Sequence, residues 1–168
     1  MGVLTRALKA AWAEMNKPGT YVTGDEFEHY VRGYLFTKEG YDLVHQTHDY
    51  ETNSDDFVEA SKEPDFRFRS RRSGREFLVE AKYRSRLYRE AVEWCKPYQL
   101  NRYKAIDNDI SVLVAIGLGG HPNSPEHVYI VPVRHINIKW IRLSPSFLRN
   151  YEQPAGHCVD ADRILLSL

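Results

Sequence analysis

Apolar positions recur at helical spacing near the start of the chain. Leu4, Leu8, Ala11 and Met15 fall on one face of residues 3–16, and Lys17-Pro18-Gly19 ends the pattern. A second helix is expected after Thr23-Gly24. Its stripe is Phe27, Tyr30, Val31, Tyr34 and Leu35, with Thr23 as N-cap, Glu26 three residues on, and Glu28 beside the stripe. The spacing then predicts strands. Tyr41 to His45 is a short one, and Asp65 to Ser70 and Glu76 to Tyr83 flank a hairpin turn at Arg71-Arg72-Ser73-Gly74-Arg75. A third helix lies within 94–107, with Pro97 as its first residue and Leu100, Tyr103 and Ile106 facing the core. Ile110 to Ile116 is nearly all apolar and predicts a strand buried on both faces. Gly117-Leu118-Gly119-Gly120 is expected to turn the chain into a strand over Glu126 to Pro132. Ile136 to Ile141 is a further candidate strand, and Pro145 to Tyr151 a helical turn or two. The order is that of one α/β sheet domain over 1–168: a core over roughly 20–132, the helix 3–16 before it and an extension, 133–168, after it.

Composition narrows the class. The chain has 168 residues, 42% hydrophobic and 12% aromatic, enough for a packed core without staples. Cys95 and Cys158 are far apart and in no CxxC pattern, which disfavours zinc, iron–sulphur and disulfide frameworks and suits a reducing, cytoplasmic setting. No apolar run reaches membrane-span length, no signal-peptide core is visible, and Arg6 stands where a myristoylation signal needs Ser or Thr. The histidines have no zinc spacing, the 117–120 glycines are followed by His121-Pro122 rather than a helix, and no G-x-S-x-G occurs.

Charge changes the picture more. Lys+Arg and Asp+Glu are 23 each, yet they are not mixed. Residues 49–65 hold seven acids and one base, and residues 67–89 hold nine bases and two acids. Opposite-sign loops would produce that pattern, and so would a phosphate-binding surface beside a carboxylate cluster.

The chemistry concentrates in Pro64-Asp65 and Glu80-Ala81-Lys82. Strand alternation puts Leu78, Glu80 and Lys82 on one face and Phe77, Val79, Ala81 and Tyr83 on the other. A hairpin brings Asp65 beside Glu80. Two adjacent carboxylates repel, and a divalent cation with oxygen ligands relieves the repulsion. Singly, each residue has a structural explanation: an exposed strand pair for Glu80 and Lys82, a turn for Asp65, a solvated helix face for Glu28, a core position for Tyr103.

Together these residues resemble the signature of the PD-(D/E)XK nuclease superfamily. Phe77-Leu78-Val79 leads into Glu80-Ala81-Lys82 as in that family, Glu28 sits on an early helix, and Gln99 and Tyr103 in YQLNRY are similar to the Q-x-x-x-Y motif of its RecB-like branch. The resemblance covers roughly residues 20–132. It implies a restriction-endonuclease-like α-β-β-β-α-β core, a mixed central sheet flanked by helices. It implies Mg²⁺ (or Mn²⁺) held by Asp65, Glu80 and the Ala81 carbonyl, with Glu28 near it directly or through water. Lys82 would position the attacking water, and Gln99 and Tyr103 would orient Lys82 or the nucleic-acid backbone. Arg71, Arg72, Arg75, Arg84 and Arg86 would bind flanking phosphates. The implied activity is a Mg²⁺-dependent deoxyribonuclease, endo or exo, leaving a 5′-phosphate, with RNA as the other substrate and a homodimer compatible with the short chain. Two alternatives stand beside it: a non-catalytic nucleic-acid-binding or assembly protein of the same fold, and an interaction protein whose charge blocks bind another protein.

Overall fold

The computed structural model describes residues 19–47, 63–154 and 156–168. The helix expected over 3–16 and the acids from Asp49 to Glu59 lie outside them.

Helix α1 (Gly19–Tyr30) runs into a five-residue π-helical turn, Val31–Leu35. Strands β1 (Tyr41–Gln46), β2 (Phe66–Ser70) and β3 (Glu76–Arg84) follow, then a short β4 (Val92–Glu93) and helix α2 (Pro97–Ile106). Next come β5 (Val112–His121) and β6 (Ser124–Pro132), a 3-10 turn at Val133–His135, and β7 (Arg142–Leu143). Helix α3 (Pro145–Leu148), a 3-10 turn, β8 (Glu152–Gln153) and α4 (Ala161–Leu166) complete the chain.

Six strands form one sheet in the order β1-β2-β3-β5-β6-β8. β3 and β5 are parallel and every other neighbouring pair is antiparallel, so the sheet is mixed. The parallel pair requires a crossover, and β4 and α2 supply it. Helices cover both faces. Against one face, Phe27 and Val31 pack on Phe66, Phe68, Phe77 and Val79. Against the other, Trp94, Leu100 and Tyr103 pack on Leu78, Val112 and Val114. Strand β5 therefore reads as a continuous apolar run, buried from Val112 to Gly117. β2 alternates instead, with Phe66 and Phe68 inside and Arg67 and Arg69 outside. Each fully buried phenylalanine stabilises this core by about 2–3 kcal/mol.

Several expectations need correction. α1 starts at Gly19, so Thr23 lies inside it rather than at its N-cap. A glycine inside a helix costs only about 1 kcal/mol, and packing of Phe27 and Tyr30 outweighs Gly24. The π turn, closed by Phe36 N–H to the Val31 carbonyl at 2.9 Å, shifts the helical phase and leaves Tyr34 57% exposed, outside the stripe.

The glycine segment does not turn the chain. β5 continues to His121, and the turn falls at Pro122-Asn123. Gly117 is needed because the Phe27 ring lies against it: a Cβ there would sit 2.5 Å from Phe27 Cε2. Gly119 and Gly120 hold φ of 71° and 65°, a left-handed region glycine enters freely. Residues 136–141 form no strand; that stretch is irregular and leads into β7.

The C-terminal segment packs into the fold. β8 extends the sheet beside β6, and α4 covers the Phe-rich face. Buried Asp162 accepts hydrogen bonds from the hydroxyls of Ser70 and Ser73 and from Arg72 Nε, at 2.7, 2.5 and 3.0 Å.

Candidate active site

The β2–β3 register pairs Phe66 with Val79, so Asp65, one residue earlier, falls opposite Glu80. Two bonds from Thr47 fix that corner: its hydroxyl donates to the Pro64 carbonyl and its N–H to the Asp65 carbonyl, both at 2.9 Å. The Asp65 side chain turns inward, and its Oδ2 accepts the Ala81 N–H at 2.7 Å. Glu80, only 2% exposed, lies beneath, with Lys82 Nζ 2.5 Å from its Oε1. The Tyr103 hydroxyl, rising from α2, donates a hydrogen bond to the Glu80 carboxylate.

This arrangement perturbs its members. Burial pushes Asp65 well above the ordinary aspartate range, and the charges of Glu80 and Glu28 push the same way; Lys82 and the Ala81 N–H offset part of it. Burial draws Lys82 down, yet Glu80 and Asp65 outweigh burial and hold its ammonium above an ordinary lysine. Lys82 is therefore a protonated donor at neutral pH, not a base. Burial, then Glu80, raises the Tyr103 phenol, which stays a proton donor.

A cavity of about 860 Å³ opens over this cluster. Glu28, Glu26 and Thr23 line it from α1, Asp65 from the start of β2, and Ala81, Lys82 and Arg84 from β3. A second cavity, about 380 Å³, shares the Lys82 and Arg84 wall and is bounded by Glu93, Lys96 and Gln99.

The structure brings Asp65, Glu80, Lys82 and Tyr103 together, with Glu28 in the same cavity as Asp65. It does not draw Glu28, Asp65 and Glu80 into one ligand set: among the described residues no three His, Cys, Asp or Glu side chains form a metal-holding group. The reason lies in the faces of β3. α1, which carries Glu28, packs on the Ala81 and Tyr83 side, whereas Glu80 points toward α2. Gln99 shares the second cavity with Lys82. Its Oε1 accepts the Lys96 N–H at 2.9 Å and caps α2, and among the described residues no hydrogen bond joins it to Lys82.

The arginines divide. Arg84 lines both cavities, but its guanidinium donates to the Glu93 and Tyr83 carbonyls, both at 2.8 Å, and burial lowers its pKa. Arg86 is exposed just beyond β3. The hairpin arginines are distant: from Glu76 to Glu80 the strand spans about 13 Å. There Arg71 pairs with Asp42, and Arg72 with Asp160 and Asp162. Arg75 is exposed at the same tip. The hairpin thus serves largely to fasten α4, and its Arg71 and Arg72 charges are met by carboxylates.

Sequence reasoning passed over Tyr83, whose hydroxyl donates to the Gly120 carbonyl at 2.8 Å and ties β3 to β5 at the cavity rim. It also missed Thr23 and Glu26 as cavity wall. Their i, i+3 spacing is the signal, since it puts both on one helix face.

A divalent cation suits these donors in kind, though among the described residues no three acidic side chains close on one point. Asp65, which lines the cavity, and Glu80 beneath it would offer carboxylate oxygens, and Mg²⁺ keeps several waters and takes phosphate oxygens. Burial first, and then the Glu80 and Glu28 charges, raise Asp65, and a bound cation would offset both.

No protein-family model matches the chain, and no curated protein matches it. Among solved structures the chain is similar to Hjc, a Holliday junction resolvase from the archaeal hyperthermophile Archaeoglobus fulgidus. The identity is 13% and the TM-score 0.45, over 68% of this chain and 81% of that one.

Proposed function

We propose that the chain is a metal-dependent phosphodiesterase that hydrolyses DNA. The observation that carries this reading is Asp65 and Lys82 lining an open cavity, with the buried Glu80 carboxylate in contact with Lys82 behind them. A merely structural ion pair has no need of a second, desolvated carboxylate held against its own charge. Asp65, Glu80 and the Ala81 carbonyl would hold Mg²⁺ or Mn²⁺, which when bound supplies an activated water and stabilises charge on phosphate. Lys82, protonated, orients the attacking water by hydrogen bonding and offsets charge on the phosphate. Tyr103 fixes the Glu80 carboxylate from the far side, so Glu80 offers its oxygens in one orientation. Arg84 and Arg86 would contact flanking phosphates, adding affinity that falls with salt and reads no sequence. RNA is the other substrate of the same chemistry.

One observation favours a second reading, a nucleic-acid-binding protein without catalysis. Glu80 is sealed from solvent and already engaged by Lys82 and Tyr103. Incubation with linear and circular DNA, with Mg²⁺ or with chelator, separates the two. Metal-dependent cleavage supports the enzyme; intact DNA on every substrate, with binding that falls steeply with salt, supports the binder.

A further inference from the structure

Between Glu80 and Glu90 the chain carries no carboxylate, and Lys82, Arg84, Arg86 and Arg89 fall in that interval. Tyr88 stands among them, 56% exposed on a turn directly after β3. The turn is unusual. Arg89 and Glu90 both hold positive φ, 47° and 60°, a conformation usually given to Asn and Gly. Tyr88 and Ala91 close it with paired backbone hydrogen bonds of 2.9 and 3.2 Å.

Arg142 of β7 clamps the turn from below. Its Nη2 donates to the Tyr88 and Arg89 carbonyls at 2.9 and 3.0 Å, while its buried Nε has no hydrogen-bond partner among the described residues. The guanidiniums of Arg89 and Arg142 lie 5.2 and 5.7 Å from the Tyr88 ring centroid. The closed turn and the Arg142 contacts leave the Tyr88 ring exposed at the surface between two guanidiniums.

A second exposed ring repeats the arrangement. Tyr98, in the first turn of α2, is 63% exposed, and the Arg102 guanidinium lies 5.7 Å from its centroid. Its neighbours Lys96 and Gln99 line the second cavity, whose wall includes Lys82. Tyr88 is six residues beyond Lys82, which puts it within about 20 Å by chain reach.

Exposed aromatic rings set among guanidiniums match one partner chemistry closely. Unpaired bases stack on tyrosine and arginine planes while their phosphates meet the cations, whereas duplex bases are hidden in their own stack. We propose that Tyr88 and Tyr98, each exposed with guanidiniums over its ring, are stacking platforms for unpaired nucleotides. On the phosphodiesterase reading above, on which this rests, the substrate is then a single strand or a locally opened duplex.

Fluorescence anisotropy in chelator tests it, with a labelled oligothymidylate and with a blunt duplex of equal length. Tyr88→Ala and Tyr98→Ala are each expected to lose about 5- to 100-fold in single-strand affinity and little on the duplex. Tyr88→Phe keeps the ring and should bind as wild type. Tyr88→Leu, of comparable bulk but without a π-face, should bind as the alanine variant. No loss on the single strand, or equal loss on both probes, overturns the platform. Because binding is read without metal, the two readings fail separately. A chain that shows these losses yet never cuts DNA defeats the enzyme and leaves the platform. A chain that cuts DNA while Tyr88→Ala and Tyr98→Ala keep full single-strand affinity does the reverse.

Discussion

Lys82 Nζ lies 2.5 Å from Glu80 Oε1, two residues back on the same face of β3. The strand's own two-residue period makes this contact, so no loop has to fold to create it. What the tertiary structure adds is Asp65 across the β2–β3 pair and Tyr103 from α2.

Removing the ammonium leaves Glu80 buried beside Asp65 with the Tyr103 hydroxyl as its remaining side-chain donor. Lys82→Ala is expected to lower stability by about 3 kcal/mol, since an unpaired buried charge is costly. Urea denaturation reads this. The double variant Lys82→Met, Glu80→Leu should recover most of the loss and remain inactive on DNA.

Asp65 has the opposite sign. Its folded-state pKa is raised, so the native chain binds more protons than the unfolded chain above the ordinary aspartate range. Stability is thus highest at low pH with respect to this group and is lost as pH rises through the raised value. Asp65→Asn removes that loss while its side-chain oxygen can still accept the Ala81 N–H. Melting at pH 5 and pH 8 should show a smaller decline for Asp65→Asn than for wild type. Added Mn²⁺ should raise the melting temperature of wild type alone.

Gly117→Ala forces a methyl group into the Phe27 ring. Overpacking of this kind costs about 1–3 kcal/mol and should displace α1, which carries Glu28 and Glu26 into the cavity. Thermal melting checks the stability loss. Phe27→Leu on the same background should restore part of it.

The hairpin and the β3 end should separate in function. Arg72 fastens Asp160 and Asp162, so Arg72→Ala is expected to lower the melting temperature and leave DNA affinity within twofold. Arg86→Ala should do the reverse, weakening DNA binding several-fold in low salt with little change in melting. Anisotropy and calorimetry on the same preparations decide it.

Much of the core was legible in the sequence. The β2–β3 hairpin, α2 opening on Pro97, and the apolar β5 follow from alternation, a fixed proline φ and an unbroken hydrophobic run. The two faces of β3 were legible for the same reason. Elements whose cause is long-range were not. Nothing local announces that Gly117 accommodates a ring from α1, that a π turn rotates Tyr34 outward, or that β8 and α4 finish the sheet and its cover. The partners of the hairpin arginines were not legible either: Arg71 meets Asp42, and Arg72 meets Asp160 and Asp162. Gln99 matches a motif spacing, and its capping of α2 was not legible from that spacing.

The most direct measurement is cleavage of end-labelled DNA across a Mn²⁺ titration, by wild type, Asp65→Ala and Lys82→Ala. The proposed function requires no cleavage in chelator, cleavage that rises and saturates with Mn²⁺ for wild type, and a loss of at least a hundredfold in both variants. Cleavage that survives in chelator, or that the two variants retain at the wild-type rate, would contradict it.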